Sequence, residues 1–150
     1  MISLKKRQSG FTIVELLIVI VVIGILAALV ITTYSGIQAK ARNSKRQTDM
    51  QATQTQLEAY FAQNGNYPSY ANLSSSSWRA TNMKSLDSGA LTDPQASGVS
   101  LSQTAGAKVY QYAPLNSSGT SCEADATTCA TYTLTATLEG GGTYTKTNLD

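Results

Sequence analysis

The stretch Phe11-Thr12-Ile13-Val14-Glu15-Leu16-Leu17-Ile18-Val19-Ile20-Val21-Val22-Ile23-Gly24-Ile25-Leu26-Ala27-Ala28-Leu29-Val30-Ile31 decides how the rest of the chain is read. Only Thr12, Glu15 and Gly24 interrupt its apolar side chains. As a helix rising about 1.5 Å per residue it spans about 30 Å, the thickness of a bilayer's hydrocarbon core. Lys5-Lys6-Arg7 stands just before it, and a basic cluster there holds the N-terminus on the cytoplasmic side of the inner membrane. Everything after Ile31 then faces outward.

Three readings of this segment stand side by side. A secretory signal peptide has an apolar region of about 7–15 residues ending close to its cleavage site. Here the small-x-small match, Ala39-Lys40-Ala41, lies well beyond the end of the run. An uncleaved signal anchor fits the length but leaves Glu15 without a purpose. A carboxylate in an apolar helix costs about 2.5–3.5 kcal/mol at mid-bilayer, less toward the ends, and such a residue usually has a partner or a function. In the third reading the chain is cut between Gly10 and Phe11, which creates an amine one helical turn before Glu15. That amine could come from the same chain or from a neighbour's Phe11, and only the second option builds an assembly.

Lys5-Lys6-Arg7-Gln8-Ser9-Gly10-Phe11-Thr12-Ile13-Val14-Glu15-Leu16-Leu17-Ile18-Val19-Ile20 resembles the type III leader and N-terminal signature of type IV pilins and type II secretion pseudopilins. The likeness joins a short basic leader, Gly before Phe, Glu five residues after the cut and an uninterrupted apolar run. It implies cleavage after Gly10 by a prepilin peptidase, N-methylation of Phe11, and recognition of an adjacent subunit's Phe11 amine by Glu15. It also implies a helical homopolymer raised from the membrane by an assembly platform and motor, with no cofactor. Gly24 matches the family position where the helix often loses order. The family commonly has Pro where this chain has Thr32. Without the ring clash an unbroken helix is expected, although Gly24 lowers helix propensity by about 1 kcal/mol against Ala. Gly24 reads equally as a point of flexibility or of close helix packing.

The expected layout is a leader at 1–10, a membrane-spanning assembly half of the helix at 11–36, its outer half at 37–64 and a globular domain at 65–150. No Pro occurs before Pro68, and good helix formers persist from Ile37 to Gln63. Ile37, Ala41, Met50, Leu57, Tyr60 and Phe61 approximate one apolar face, and Asn64-Gly65 followed by Pro68 supplies a stop. Lys40, Arg42, Lys45 and Arg46 read as a solvated basic surface meeting lipid phosphates or acidic neighbours.

Tyr67 to Ala107 reads as irregular, with Trp78, Leu86 and Leu91 pinning it to the core or Trp78 meeting a partner. Strand signals follow at Lys108–Ala113, Thr131–Glu139 and Thr143–Thr147, the last two joined by Gly140-Gly141-Gly142. They predict an antiparallel sheet of three or four strands, one face on the helix and one rich in Thr. The fold class expected is therefore α+β, the pilin fold.

Net charge is +2, but without Lys5, Lys6 and Arg7 eight basic residues face nine acidic ones, or −1. A domain this near neutrality is not a general polyanion binder, and no nucleic-acid partner is expected. There is no His, no glycine-rich phosphate loop between strand and helix, and no catalytic constellation, so an enzyme is not expected. Cys122 and Cys129, on the outward side, read as a disulfide closing a short loop, contributing at most about 2.5 kcal/mol. Two free thiols or a partial metal site are the alternatives. Glu123 and Asp125 in that loop read as solvated acids, with calcium as the other reading and no metal site assigned. Asn72-Leu73-Ser74 and Asn116-Ser117-Ser118 fit glycosylation acceptors, a pattern common by chance. The functions carried forward are a surface pilus for attachment or motility, a secretion pseudopilus, a DNA-uptake filament and, in another class, a monomeric anchored binding module.

Overall fold

The computed structural model describes residues 10–122 and 128–149. The leader cluster Lys5-Lys6-Arg7 and the loop acids Glu123 and Asp125 lie outside the described residues. Helix α1 runs Ile13–Asn64, through Gly24 and Thr32 without interruption. The hydroxyls that follow the apolar run satisfy themselves on the helix's own carbonyls, Thr32 on Leu29 at 3.0 Å and Thr33 on Leu29 at 2.9 Å, so they remain compatible with an apolar setting. The helix ends where Gly65, at φ 73°, donates its N–H to the Phe61 carbonyl at 2.7 Å. A residue with a Cβ is strained at that φ, which is why Gly occupies the cap.

The chain divides into two compact units between Gln38 and Ala39. The first contains the apolar half of α1, whose large side chains from Phe11 to Ile31 are 48–85% exposed. The second contains the outer half of α1 and everything after it.

Within the second unit the face of α1 turned to the core is Arg46, Asp49, Met50, Thr53, Gln54 and Leu57. This corrects the apolar face drawn from sequence. Met50 and Leu57 are fully buried, but Ile37 is 61% exposed, Phe61 is 37% exposed and Ala41 is exposed. Counting apolar residues cannot find a buried face half made of polar side chains whose partners come from distant parts of the chain.

The segment read as irregular holds helix α2 (Tyr70–Ser74), helix α3 (Ser76–Asn82), a 3-10 turn (Ser88–Leu91) and strand β1 (Leu101–Ser102). Two of the serines there are caps. Ser69 accepts from the Asn72 N–H at 3.2 Å and Ser75 from the Trp78 N–H at 3.3 Å, each closing an open helix start. Leu86 and Leu91 are buried as expected, and Trp78 packs on Tyr60 with ring centroids 5.3 Å apart.

Strands β2 (Tyr110–Asn116), β3 (Cys129–Thr137) and β4 (Thr143–Thr147) complete a sheet of order β1-β2-β3-β4. The β2–β3 and β3–β4 pairs are antiparallel, but β1 pairs parallel to β2, so the sheet is mixed rather than antiparallel. Lys108, at φ 60°, cannot begin an extended strand, and β2 starts at Tyr110. Tyr110 faces Ala136, Tyr112 faces Leu134 and Pro114 faces Tyr132. All six are buried, each large apolar side chain contributing about 1.5–3 kcal/mol. On the other face Thr133, Thr135 and Thr137 pair with Thr147, Thr145 and Thr143, the Thr-rich surface expected. Gly140, Gly141 and Gly142, all at positive φ, turn β3 into β4.

Candidate assembly site

Glu15 lies in the first turn of α1, and its carboxylate is engaged by Thr12. Oε2 accepts from the Thr12 backbone N–H at 2.9 Å and from the Thr12 hydroxyl at 2.7 Å. In return, the Thr12 hydroxyl oxygen accepts from the Glu15 N–H at 3.2 Å. The Leu16 N–H meets the Thr12 carbonyl at 3.2 Å. Thr12 is therefore the N-cap, and Thr-x-x-Glu forms a reciprocal capping box. Reading the residues for charge alone gives Glu15 an amine partner and overlooks Thr12, although the Thr-x-x-Glu spacing ahead of an apolar run was the available signal.

Both bonds to the carboxylate fall on Oε2, and among the described residues Oε1 accepts none. One oxygen starts the helix, and the other is open to a further donor. Gly10 and Phe11 precede the helix in exposed, non-helical backbone, and the Phe11 side chain is 85% exposed. Gly24 lies within α1 with open space where a Cβ would stand. By length and composition α1 can cross a membrane.

Residues 5–31 match the model of the prokaryotic N-terminal methylation motif. The chain is 44% identical over 64 residues to the type II secretion system core protein G of Aeromonas hydrophila, covering 43% of this chain and 45% of the relative. It is 40% identical over 65 residues to core protein G of Dickeya chrysanthemi, covering 43% and 42%. It is 38% identical over 68 residues to the type IV major pilin protein PilA of Myxococcus xanthus, covering 45% and 31%. Its N-terminal stretch is thus similar to those of type II secretion core proteins and a type IV pilin. The chain spans less than half the length of these relatives, and no solved structure matches it.

Beyond its motif this pilin-like chain uses the basic cluster of α1 differently from the solvated surface expected. Arg46 is 1% exposed and grips Asp93, also 1% exposed, through Nε–Oδ2 at 2.6 Å and Nη2–Oδ1 at 3.1 Å. Its Nη1 reaches Glu139 at 2.9 Å, and Arg42 holds the same carboxylate at 2.6 Å. Asn43 locks the turn, accepting from the Glu139 N–H and donating to the Glu139 carbonyl, both at 2.9 Å. Lys45 pairs with Asp49 at 2.8 Å. Of the four cations only Lys40 has no ion pair among the described residues.

The hydrogen bond from Arg42, joined by that from Arg46, holds the Glu139 carboxyl down at about 2. Burial pushes Asp93 up, but the hydrogen bonds from Arg46 and the Gln95 N–H outweigh it and hold the carboxyl below its ordinary value. A second network joins helix, sheet and C-terminus. Glu58 accepts from Tyr67 at 2.9 Å, from Tyr132 at 2.7 Å and from the Leu149 N–H at 3.1 Å.

Cys122 and Cys129 are both buried, 4% and 1% exposed, and no disulfide occurs among the described residues. The stretch between them, 123–127, lies outside the described residues.

Proposed function

We propose that the chain is a structural subunit, not an enzyme, made as an N-in membrane-anchored precursor and cut by a prepilin peptidase between Gly10 and Phe11. Phe11 is then N-methylated. The apolar half of α1 drives polymerisation into a helical homopolymer outside the cytoplasmic membrane, with an assembly platform and motor as partners. The observation that carries this reading is the half-used carboxylate of Glu15 on an apolar helix whose large side chains are all exposed. A neighbour's Phe11 amine would occupy the open Oε1 while Thr12 keeps Oε2, so charge neutralisation and helix capping do not compete. Burying each Leu or Ile of Phe11–Ile31 against like helices contributes about 1.5–3 kcal/mol once the subunit leaves lipid.

Between the two filament classes a secretion pseudopilus is the better supported. Core protein G relatives recur among the similar proteins, those of Aeromonas hydrophila and Dickeya chrysanthemi at 44% and 40% identity against 38% for the major pilin. A surface pilus for attachment or motility is the second reading. Two results separate the readings. Purified filament protein should have Phe11 as its N-terminus in methylated form, and functional material retaining residues 1–10 would end the assembly reading. Deleting the gene should block export of a secreted protein while leaving adhesion intact, and the reverse result would make the surface pilus correct.

A further inference from the structure

The side chains from Thr12 to Ser35 satisfy nearly all of their own polar groups. Thr12 and Glu15 close the capping box, and Leu16 to Ile31 carry no polar side-chain atom. The hydroxyls of Thr32 and Thr33 donate to the Leu29 carbonyl and that of Ser35 to the Thr32 carbonyl. Two side-chain groups of this stretch are left open among the described residues. One is Oε1 of Glu15, and the other is the phenol of Tyr34, a residue 61% exposed. They stand nineteen residues apart on one unbroken helix, a separation of about 29 Å at about 1.5 Å per residue. A bilayer's hydrocarbon core is about 30 Å thick.

Tyr34 also borders an apolar notch. Leu29, Val30, Thr33, Tyr34 and Ile37 line a concavity of about 300 Å³, and the Thr33 hydroxyl among them is already spent on Leu29. The notch therefore has one polar side-chain group to offer, the Tyr34 phenol. Hydrocarbon with a single hydrogen-bonding group at its edge is the chemistry of the boundary between acyl chains and lipid headgroups, where amphipathic tyrosine rings concentrate.

We propose that Tyr34 and this notch pack against an outer-leaflet phospholipid, an acyl chain lying over Leu29 and Val30 and the phenol meeting the ester and phosphate oxygens, so that Tyr34 fixes the depth of the precursor in the membrane. The inference rests on the anchored-precursor reading and extends it by naming both boundaries. With Tyr34 at the outer edge of the hydrocarbon, Glu15 stands at the inner edge rather than in mid-bilayer. A carboxylate there costs far less than one at the centre, so the precursor can carry it before a neighbour's amine arrives.

The test places the full chain in phosphatidylcholine vesicles that carry a nitroxide quencher at a shallow or a deep acyl position. Trp78, the only tryptophan of the chain, is replaced by Phe, and Tyr34→Trp then gives a single reporter that keeps an amphipathic ring. The shallow label should quench it at least about twofold more than the deep one, as expected of an aromatic ring at headgroup level. Ile25→Trp in the same background, close to midway between Glu15 and Tyr34, should show the reverse order. A third reporter, Val19→Trp, leaves the notch untouched and reads the role of Tyr34 itself. Tyr34→Leu extends the apolar run to Ile37 and moves its midpoint outward by about two residues, or about 3 Å. The reporter at position 19 should then shift toward the inner headgroups, with a higher ratio of shallow to deep quenching. Deep quenching at position 34 equal to or above shallow, with position 25 still quenched, overturns the placement of Tyr34 and leaves the anchor reading standing. A reporter at position 34 shielded from both labels while position 25 is quenched overturns it too, and gives the notch to a second copy of the chain. An unchanged ratio at position 19 on Tyr34→Leu denies Tyr34 any part in setting depth. Loss of quenching at all three positions ends the anchor reading and this inference with it.

Discussion

Replacing Asp93 by Ala removes the one fully buried partner of Arg46 among the described residues. The guanidinium, 1% exposed, would keep Glu139, 25% exposed, and the amide oxygens of Asn43 and Gln95, but lose its bidentate grip. Breaking one side of a buried pair costs about 3–5 kcal/mol, because a charge is left without its countercharge in a poorly solvated place. For a unit of this size about 1 kcal/mol shifts Tm by roughly 4 °C, so Asp93→Ala should lower the melting temperature of the outer unit by roughly 12–20 °C. The assay is near-ultraviolet circular dichroism of the full chain in detergent, which follows the tyrosines of the sheet rather than the apolar half of α1. The double variant Arg46→Met with Asp93→Leu removes both charges at similar volume and should recover most of the loss, since burying a pair is close to neutral against an apolar replacement. A loss below about 1 kcal/mol for Asp93→Ala, or a double variant no better than the single one, would refute the claim that this pair fixes the long loop to α1.

Glu15→Gln keeps an oxygen for the Thr12 N–H and should leave the first turn of α1 intact by amide exchange while abolishing filaments. Thr12→Val should instead fray that turn, at a cost of about 1 kcal/mol, so equal effects of the two changes on filaments and on exchange would deny Glu15 its two separate oxygens. Glu139 has an ordinary value of 4.5 and is held at about 2 in the folded chain, first by Arg42 and then by Arg46. Its depressed value means that its stabilisation is complete above about 4.5 and is lost as pH falls through about 2. Tm should fall across that window, and Glu139→Gln should flatten the fall; an unaltered acid limb would count against the pairing. Tyr132→Phe leaves Glu58 with one fewer donor, which urea unfolding should show as a loss of about 1.5 kcal/mol or more, the worth of a hydrogen bond to a charged group.

Local signals carry through wherever one stretch of chain contains both the cause and the effect. The apolar run, the absence of Pro before Pro68, the Asn64-Gly65 stop and the period-two strands with their glycine turn are such cases, and α1, β3 and β4 lie within two residues of where they are read. Gly10, Phe11 and Glu15 lie within the stretch that matches the N-terminal methylation motif, so the likeness too is local in the chain. What the linear chain could not disclose depends on pairs far apart in it. Arg46 and Asp93 are 47 residues apart and Arg42 and Glu139 are 97 apart, so a helix face that looks solvated is instead neutralised by a loop and a turn. Serines that look like linker become caps only because a helix follows them, and the parallel pairing of two-residue β1 has no periodicity to announce it. Arg79 shows the limit most clearly. Its chemistry is the same on paper as that of Arg46, yet this buried residue of α3 has no carboxylate in ion-pair distance among the described residues, because electrostatic partners are chosen by distance in space and not by order along the chain.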